Sequence, residues 1–262
     1  MKSRPFFLIV FFSFCLLGLS LQAQDQRADQ FGPLFDGSEN SYDKLISQGW
    51  IYLFDGRLSS PEQTVEWSPL SLWRPRRADR NNCWLVIRER DEDEYRILTN
   101  ILREGMHGTD LITNMEFRDF DLHVEFRSAE NSGIYLRGRY EVQIDAGDPD
   151  KEDLKFSDLG GIYALSPPSV NASKNPDEWQ TFDISIRDYA ITVYLNGMLI
   201  QDKVKIPEGK RRVGTGTELG CWVSDGFHND PSKAGPIMIQ GNHGQADFKN
   251  IRIRPQPVQL EN

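Results

Sequence analysis

Cysteine and histidine are scarce in this sequence, which narrows the chemistry that it can carry. Only 3 of the 262 residues are Cys and 4 are His. The cysteines are too few for a disulfide framework, and their spacing matches no metal-ligand pattern. No glycine-rich phosphate-binding loop and no activated Ser or Cys motif is present. The sequence therefore disfavours a disulfide-stapled scaffold, a cysteine-ligated metal site and a serine or cysteine nucleophile.

Positive charge is also in the minority. The chain carries 30 Lys and Arg against 39 Asp and Glu, a formal net charge of −9. Such a protein repels phosphate backbones, so no nucleic acid partner is predicted. A neutral ligand would be indifferent to this charge.

Long hydrophobic runs are limited to one, near the N-terminus. Lys2 and Arg4 precede an uncharged apolar run from Phe6 to Leu21, and Ala23 offers a small residue for cleavage. This is the layout of a secretory signal peptide. A membrane anchor is the alternative, but the run is shorter than the roughly 20 residues that a spanning helix needs. We expect residues 1–23 to be removed and the protein to be exported, to the periplasm or outside the cell.

Cleavage would leave 239 residues (262 − 23) and change the formal charge from −9 to −11, because Lys2 and Arg4 are lost. We predict that residues 24–48 form a polar N-terminal segment and that residues 49–262 form one domain. We expect no membrane partner for the mature chain, and its oligomeric state stays open. Cys83 and Cys221 remain and could pair in an oxidising compartment.

Helical periodicity is almost absent, whereas strand patterns recur along the chain. Most segments alternate apolar and polar residues, and Asn196-Gly197 is a strong two-residue hairpin turn. The pattern predicts an all-β, two-sheet antiparallel sandwich or jelly roll. Its strand segments are 49–54, 84–87, 110–113, 120–126, 133–137, 141–145, 161–164, 181–187, 191–195, 199–203, 237–240 and 248–253.

Three consecutive segments, 120–127, 131–137 and 140–145, are the most informative. In the first, apolar residues occupy every even position and charged residues or His every odd position up to Arg127. If 138–140 is a three-residue loop, Arg137 lies opposite Glu141, and all apolar residues of the hairpin share one face. Pairing the first segment with the second then predicts three adjacent strands with one polar face.

We predict that this polar face is the ligand site. The alternative is a solvent-exposed sheet face whose charged residues form ion pairs. The predicted catalytic residues are Glu125, Glu141, His123 and Arg137. The same parity extends the face to Trp179, Thr181 and Asp183. The predicted substrate-binding residues are Arg127, Tyr135, Gln143, Asp145, Trp179, Gln240 and His243.

Ten short motifs, in this order and spacing, resemble the 3-keto-disaccharide hydrolase family over residues 50–254. The resemblance implies a concanavalin-A-like jelly roll that acts on carbohydrate. This sequence departs from the family pattern in 57–82, which is longer, and in 218–233, which looks inserted. The motifs are Leu53–Gly56, Phe120–Phe126, Asn131–Gly138, Tyr140–Asp145, Gly161–Tyr163, Glu178–Phe182, Tyr194–Gly197, Pro236–Gln240, His243-Gly244 and Phe248–Ile253.

A 3-keto sugar requires different chemistry from an ordinary glycoside. Its C3 ketone makes the C2 hydrogen acidic, so one base can start an elimination of the C1 leaving group, and water can add back. Glu125 or Glu141 is predicted as the base, with His123 and Arg137 stabilising the enolate oxygen. A conventional glycosidase needs two carboxylates at defined separations, for which Glu125 and Glu141 are the better pair.

No cofactor is predicted. The acidic cluster from Asp145 to Asp150 lacks EF-hand spacing and reads as a solvated loop, although a divalent metal such as calcium is left open. His107 and His228 read as surface residues. A non-catalytic sugar-binding module is the second function class, with Trp67, Trp73, Trp179 and Trp222 as stacking platforms.

The export prediction has a direct test. We expect the mature protein to begin near Gln24, because Ala23 ends the uncharged apolar run. Intact-mass spectrometry of the exported protein measures this. Retention of Met1 in the exported protein would show the prediction to be wrong.

Overall fold

The computed structural model describes residues 48–55, 72–88, 96–106, 108–207, 230 and 232–256. Within these residues the chain forms strands and no helix. They are β1 (Ile51–Phe54), β2 (Trp73–Pro75), β3 (Trp84–Arg88), β4 (Arg96–Asn100), β5 (Leu111–Thr113), β6 (Phe120–Arg127), β7 (Ser132–Leu136), β8 (Tyr140–Ile144), β9 (Gln180–Arg187), β10 (Ala190–Leu195), β11 (Met198–Lys205), β12 (Met238–Ile239) and β13 (Asp247–Pro255).

The described strands form two antiparallel sheets. The eight-stranded sheet has the order β11-β10-β9-β6-β13-β4-β3, with β1 also paired to β13. The five-stranded sheet has the order β2-β5-β12-β7-β8. The predicted all-β jelly-roll sandwich is confirmed. In the described part of the chain, no helix has the length and apolar character needed to cross a membrane.

The core lies between the sheets and follows from the period-two pattern. Strands alternate their side chains, so β6 sends Phe126 inward and β9 sends Phe182 to meet it. Their rings stack with centroids 4.6 Å apart. The predicted core residues are all buried in one cluster: Ile134, Leu136, Val142, Ile144, Phe182, Ile184 and Ile186.

The predicted adjacency of β6 and β7 is wrong. β6 pairs with β9 and β13 in the eight-stranded sheet, whereas β7 pairs with β8 and β12 in the five-stranded sheet. The chain crosses between sheets after Arg127. An alternating strand can serve either sheet, because its core face looks the same from both sides. The alternation of apolar and polar residues therefore predicts which side chains point into the core, but it does not predict to which sheet each strand belongs.

The predicted hairpin register is also wrong, by two residues. Leu136 pairs with Tyr140 and Tyr135 pairs with Glu141, so the turn is 137–139. Arg137 and Gly138 take φ values of +54° and +67°, and Arg139 N–H donates to Leu136 O at 3.0 Å. Because the shift is an even number, the side chains of the paired residues keep their predicted faces, but Arg137 becomes part of the turn.

A bulge in β13 changes one outer-face position. The pairing with β6 shifts between Lys249 and Arg252, and Asn250 takes a φ of +49°. Asn tolerates this left-handed conformation better than most residues. The bulge turns the Asn250 amide toward β6, where Nδ2 donates to Glu125 Oε1 at 2.7 Å.

Candidate active site

The structure separates most of the predicted site residues into two clusters, on the outer faces of different sheets. Since β6 and β7 belong to different sheets, the predicted rows that joined His123 and Glu125 to Glu141 do not form. The five-stranded sheet carries Tyr135, Glu141, Gln143 and Gln240. The eight-stranded sheet carries His123 and Glu125, with Arg127 and Trp179 beside them.

The outer face of the five-stranded sheet is a short grid of paired positions. One row runs across four strands through Ile112, Met238, Tyr135 and Glu141. In the neighbouring row Gly133 pairs with Gln143. Gln240 directly follows β12, and its N–H donates to Gly133 O at 2.9 Å. A glycine in the middle of this row leaves a gap among polar side chains.

Glu141 fills the space beside that glycine. A Cβ at Gly133 would lie 2.9 Å from Glu141 Cγ and closer still to Oε1. The side chain is almost completely buried, and this burial raises the pKa of Glu141 to about 7 against a hydrogen bond with Tyr135 that lowers it. The negative charge of Asp110 raises the pKa further. Glu141 can therefore exchange a proton near neutral pH.

Tyr135 is the partner of Glu141. Burial and the adjacent Glu141 carboxylate raise the pKa of Tyr135, so it stays a neutral phenol. Gln240 Nε2 donates to its hydroxyl oxygen at 3.1 Å. The phenol can in turn donate its proton to an oxygen of Glu141 or of a ligand.

Sequence reasoning missed Asp110 and Arg76 at the far end of the grid. Arg76 Nη1 donates to Asp110 Oδ2 at 3.2 Å, and Gly241 N–H donates to Asp110 Oδ1 at 3.2 Å. Asp110 directly precedes the short strand β5. Because it is two residues from the outer-facing Ile112, the alternation of the strand could have placed it on the outer face. Arg76 lies in the segment that departs from the family pattern, so no motif marked it.

Gln143 lies on the same face but points its amide at the backbone. Nε2 donates to Ile144 O at 3.0 Å and to Ser132 O at 3.4 Å. The residue therefore supports the β7–β8 pair.

The second cluster is centred on His123. Its Nδ1 lies 2.7 Å from Asp183 Oδ1, and its Nε2 lies 3.7 Å from Glu125 Oε1. Burial alone would lower the pKa of His123, but the two carboxylates outweigh burial and raise it. Burial would likewise raise the pKa of Glu125, but hydrogen bonds from His123 and Asn250 outweigh it and lower that pKa. This carboxylate is held ionised and already hydrogen-bonded.

Three other predicted residues lie apart from both clusters. Arg137 is fully buried, and its Nη2 donates to Asp119 Oδ1 at 2.9 Å, so it does not face Glu141 as predicted. Asp145 follows β8 and accepts from Ala146 N–H at 2.9 Å. His243 is exposed on the loop after β12, with its Nδ1 2.6 Å from Asn242 Oδ1.

Two of the tryptophans predicted as stacking platforms, Trp73 and Trp179, lie in the described residues, and each has other groups packed on or around its ring. Trp73 is buried and donates its indole N–H to Leu53 O at 2.8 Å. Over the Trp179 ring lie Lys249 Nζ at 4.2 Å and Arg127 Cζ at 4.8 Å from the centroid, and Arg127 also donates to Asp247 at 2.9 Å. Trp67, Trp222, His107 and His228 lie outside the described residues.

The described residues also bear on metal ligands and on the predicted pairing of Cys83 with Cys221. No group of three or more His, Cys, Asp or Glu residues there is placed to hold a metal ion. Cys83 is a buried free thiol, with Sγ 3.4 Å from Gly241 O. Its predicted partner Cys221 lies outside the described residues.

Two solved structures from Parabacteroides distasonis are similar to this chain, and both are provisionally described as glycosyl hydrolases. One is 25% identical with a TM-score of 0.52, and the match covers 79% of this chain and 84% of that one. The other is 19% identical with a TM-score of 0.55, covers 82% of this chain and 97% of that one, and supports the fold alone. Among curated proteins no significant match is found.

A family model supplies the assignment. It matches residues 49–254, which include β1 to β12 and all but the last residue of β13, and it describes a 3-keto-alpha-glucoside-1,2-lyase-like domain. The family resemblance noted in the sequence is thereby confirmed. With more than half of its length matched, the chain belongs to the family of 3-keto-alpha-glucoside-1,2-lyase-like domains.

Proposed function

We propose that this protein is an exported enzyme that cleaves 3-keto-glycosides, with Glu141 as the base. The observation that carries the proposal is the buried Glu141, whose pKa of about 7 suits proton abstraction at neutral pH. Family membership and the similarity to a glycosyl hydrolase support a glycoside-cleaving role. Export rests on the signal-peptide pattern of residues 1–23.

The proposed reaction is an elimination that water can complete as a hydrolysis. The Glu141 carboxylate takes the C2 proton, and the electrons of the C2–H bond form an enolate with the C3 ketone. The enolate then restores the C3 carbonyl, a double bond forms between C1 and C2, and the C1–O bond breaks. The departing oxygen takes a proton. Addition of OH to C1 and H to C2 of the product yields the hydrolysed 3-keto sugar.

Tyr135 is the proposed proton donor. Its phenol is neutral and hydrogen-bonded with Glu141, so it can protonate the departing oxygen and recover a proton from the newly protonated Glu141. The Gln240 amide orients the phenol through its 3.1 Å hydrogen bond. His123 and Arg137, which were predicted to stabilise the enolate oxygen, have no part in the scheme, because both lie apart from Glu141.

Glu125 is the weaker candidate for the base. The hydrogen bond from Asn250 and the adjacent His123 stabilise its ionised form, which lowers its affinity for a proton. A base that holds its proton poorly is less effective at removing one from carbon. Burial raises the pKa of both residues, but at Glu141 it outweighs the hydrogen bond with Tyr135, which makes Glu141 the better base.

Replacing the proposed base should stop turnover. We expect Glu141→Gln to reduce kcat on a 3-keto-α-glucoside by about 10²–10⁴-fold, because the amide keeps the shape but cannot accept the proton. Steady-state kinetics with melting temperatures measure this. Glu152→Gln, at an exposed carboxylate of the 145–158 loop, is the matched control. A folded Glu141→Gln protein with near-normal kcat would eliminate Glu141 as the base.

Glu141 should also leave a signature in the pH dependence of activity and stability. We expect kcat/KM to rise with pH through about 7, because only the carboxylate accepts the proton. The folded pKa lies above the ordinary value of 4.5, so the neutral form stabilises the fold at low pH. Between pH 4.5 and 7 the wild type should lose about 1–3 kcal/mol of unfolding free energy relative to Glu141→Gln. Denaturant titrations at several pH values measure this, and parallel curves would contradict it.

The absence of a side chain at Gly133 should affect activity, because it leaves room for the Glu141 carboxylate. A methyl group there would meet the Glu141 side chain, so we expect Gly133→Ala to displace the carboxylate and to reduce kcat/KM by about 10–100-fold. A double-mutant cycle with Glu141→Gln measures the coupling. If Gly133 acts by making room for Glu141, the double variant should be no slower than Glu141→Gln. Independent, multiplying losses would contradict this interpretation.

A further inference from the structure

We propose that Phe156 and Tyr163 form a stacking subsite for a sugar ring at the β8 edge of the five-stranded sheet, beside Glu141. The proposal rests on the proposed function for the reacting end of the ligand and adds the surface that holds a second ring. Its ligand is an uncharged pyranose, recognised by its C–H face.

The backbone places Tyr163 on the same face as Glu141. Residues 161–163 run antiparallel to β8 and continue the sheet by one short segment, with Val142 bridged to Ile162. Gln143 N–H donates to Gly161 O at 2.8 Å, and Tyr163 N–H donates to Glu141 O at 3.0 Å. Val142 and Ile162 are both buried in the core, so their neighbours Glu141 and Tyr163 point to the outer face.

An exposed aromatic ring lies against Tyr163. The Phe156 and Tyr163 rings meet edge to face, with centroids 5.5 Å apart and an interplanar angle of 88°. Phe156 is nevertheless 43% exposed. The pair therefore presents aromatic surface to solvent next to the proposed base.

The segment that carries Phe156 is fixed by short contacts. Gly161 packs so closely on the Phe156 carbonyl that an added Cβ would lie 2.7 Å from the carbonyl carbon. Asp158 accepts from Lys155 N–H at 2.8 Å and from Lys151 Nζ at 2.9 Å. An aromatic ring held in place before binding loses little conformational entropy when a ligand arrives.

Ring chemistry and spacing point to a sugar. The faces of aromatic rings are electron-rich and attract the weakly positive C–H bonds of a pyranose face. Neighbouring strands lie about 4.8 Å apart, so the segment with Tyr163 is one strand spacing from Glu141. That distance is about the width of one sugar ring. A disaccharide can then rest one ring on the aromatic pair while the other reaches Glu141.

Binding of unoxidised sugars tests the subsite without requiring turnover. The probes are trehalose, kojibiose, nigerose, maltose and isomaltose, titrated into the protein by calorimetry. We expect Phe156→Ala to weaken binding of the best disaccharide by about tenfold. Phe156→Tyr should bind as the wild type does, and Phe156→Leu should resemble Phe156→Ala. Met198→Ala, at a 47% exposed side chain on β11, is the matched control and should change nothing.

Two results would overturn the subsite. One is that no disaccharide binds the wild type; the other is that Phe156→Ala or Phe156→Leu binds as tightly as the wild type. Turnover separates this proposal from the proposed function. If 3-keto-glucosides are not cleaved but disaccharide binding depends on an aromatic residue at 156, the subsite stands and the enzymatic role fails. If they are cleaved with an unchanged KM by Phe156→Ala, the subsite fails and the enzymatic role stands.

Discussion

The pairing of β7 with β8 is the constraint on which the candidate site depends. Ile134 and Val142 meet on the inner face and are fully buried, so Tyr135 and Glu141 must meet on the outer one. Burying the apolar pair is favourable by about 1.5–3 kcal/mol per side chain, and this fixes the register against a one-residue slip. Core packing therefore positions the reactive pair, although neither reactive side chain belongs to the main core.

The buried carboxylates on the two outer faces have different kinds of partner. On the eight-stranded sheet, Asp121 binds Arg187 at 2.6 Å and Arg254 at 2.8 Å, and Glu125 has His123 and Asn250 beside it. On the five-stranded sheet, Glu141 has a phenol as its hydrogen-bond partner and another carboxylate, Asp110, nearby. Charge neutralisation stabilises the first face. Burial, with the negative charge of Asp110, raises the proton affinity of Glu141 at a cost in stability above neutral pH.

The edge beyond β8 connects this chemistry with recognition. Residues 161–163 cover the backbone of β8, so the edge strand is not open to other chains, and they bring Tyr163 alongside Glu141. The same short segment can therefore protect the sheet and hold a ligand. A neutral sugar also suits a protein whose formal charge of −9 would repel an anionic ligand.

The sequence by itself determined the fold class, the family and the face of each strand, because alternation with period two survives any choice of partner strand. It identified Tyr135, Glu141 and Gln143 on those grounds, and Gln240 lies in one of the motifs that resemble the family. It could not assign β6 and β7 to sheets, since both sheets share one core, and so it joined His123 and Glu125 to Glu141. The bulge at Asn250 and the meeting of Arg76 with Asp110 were decided by tertiary structure, because each brings together segments that are far apart along the chain. The position of the turn at Arg137 and the contact of Phe156 with Tyr163 also needed the structure, because a two-residue shift leaves the alternation unchanged and the loop that carries Phe156 has no periodic pattern.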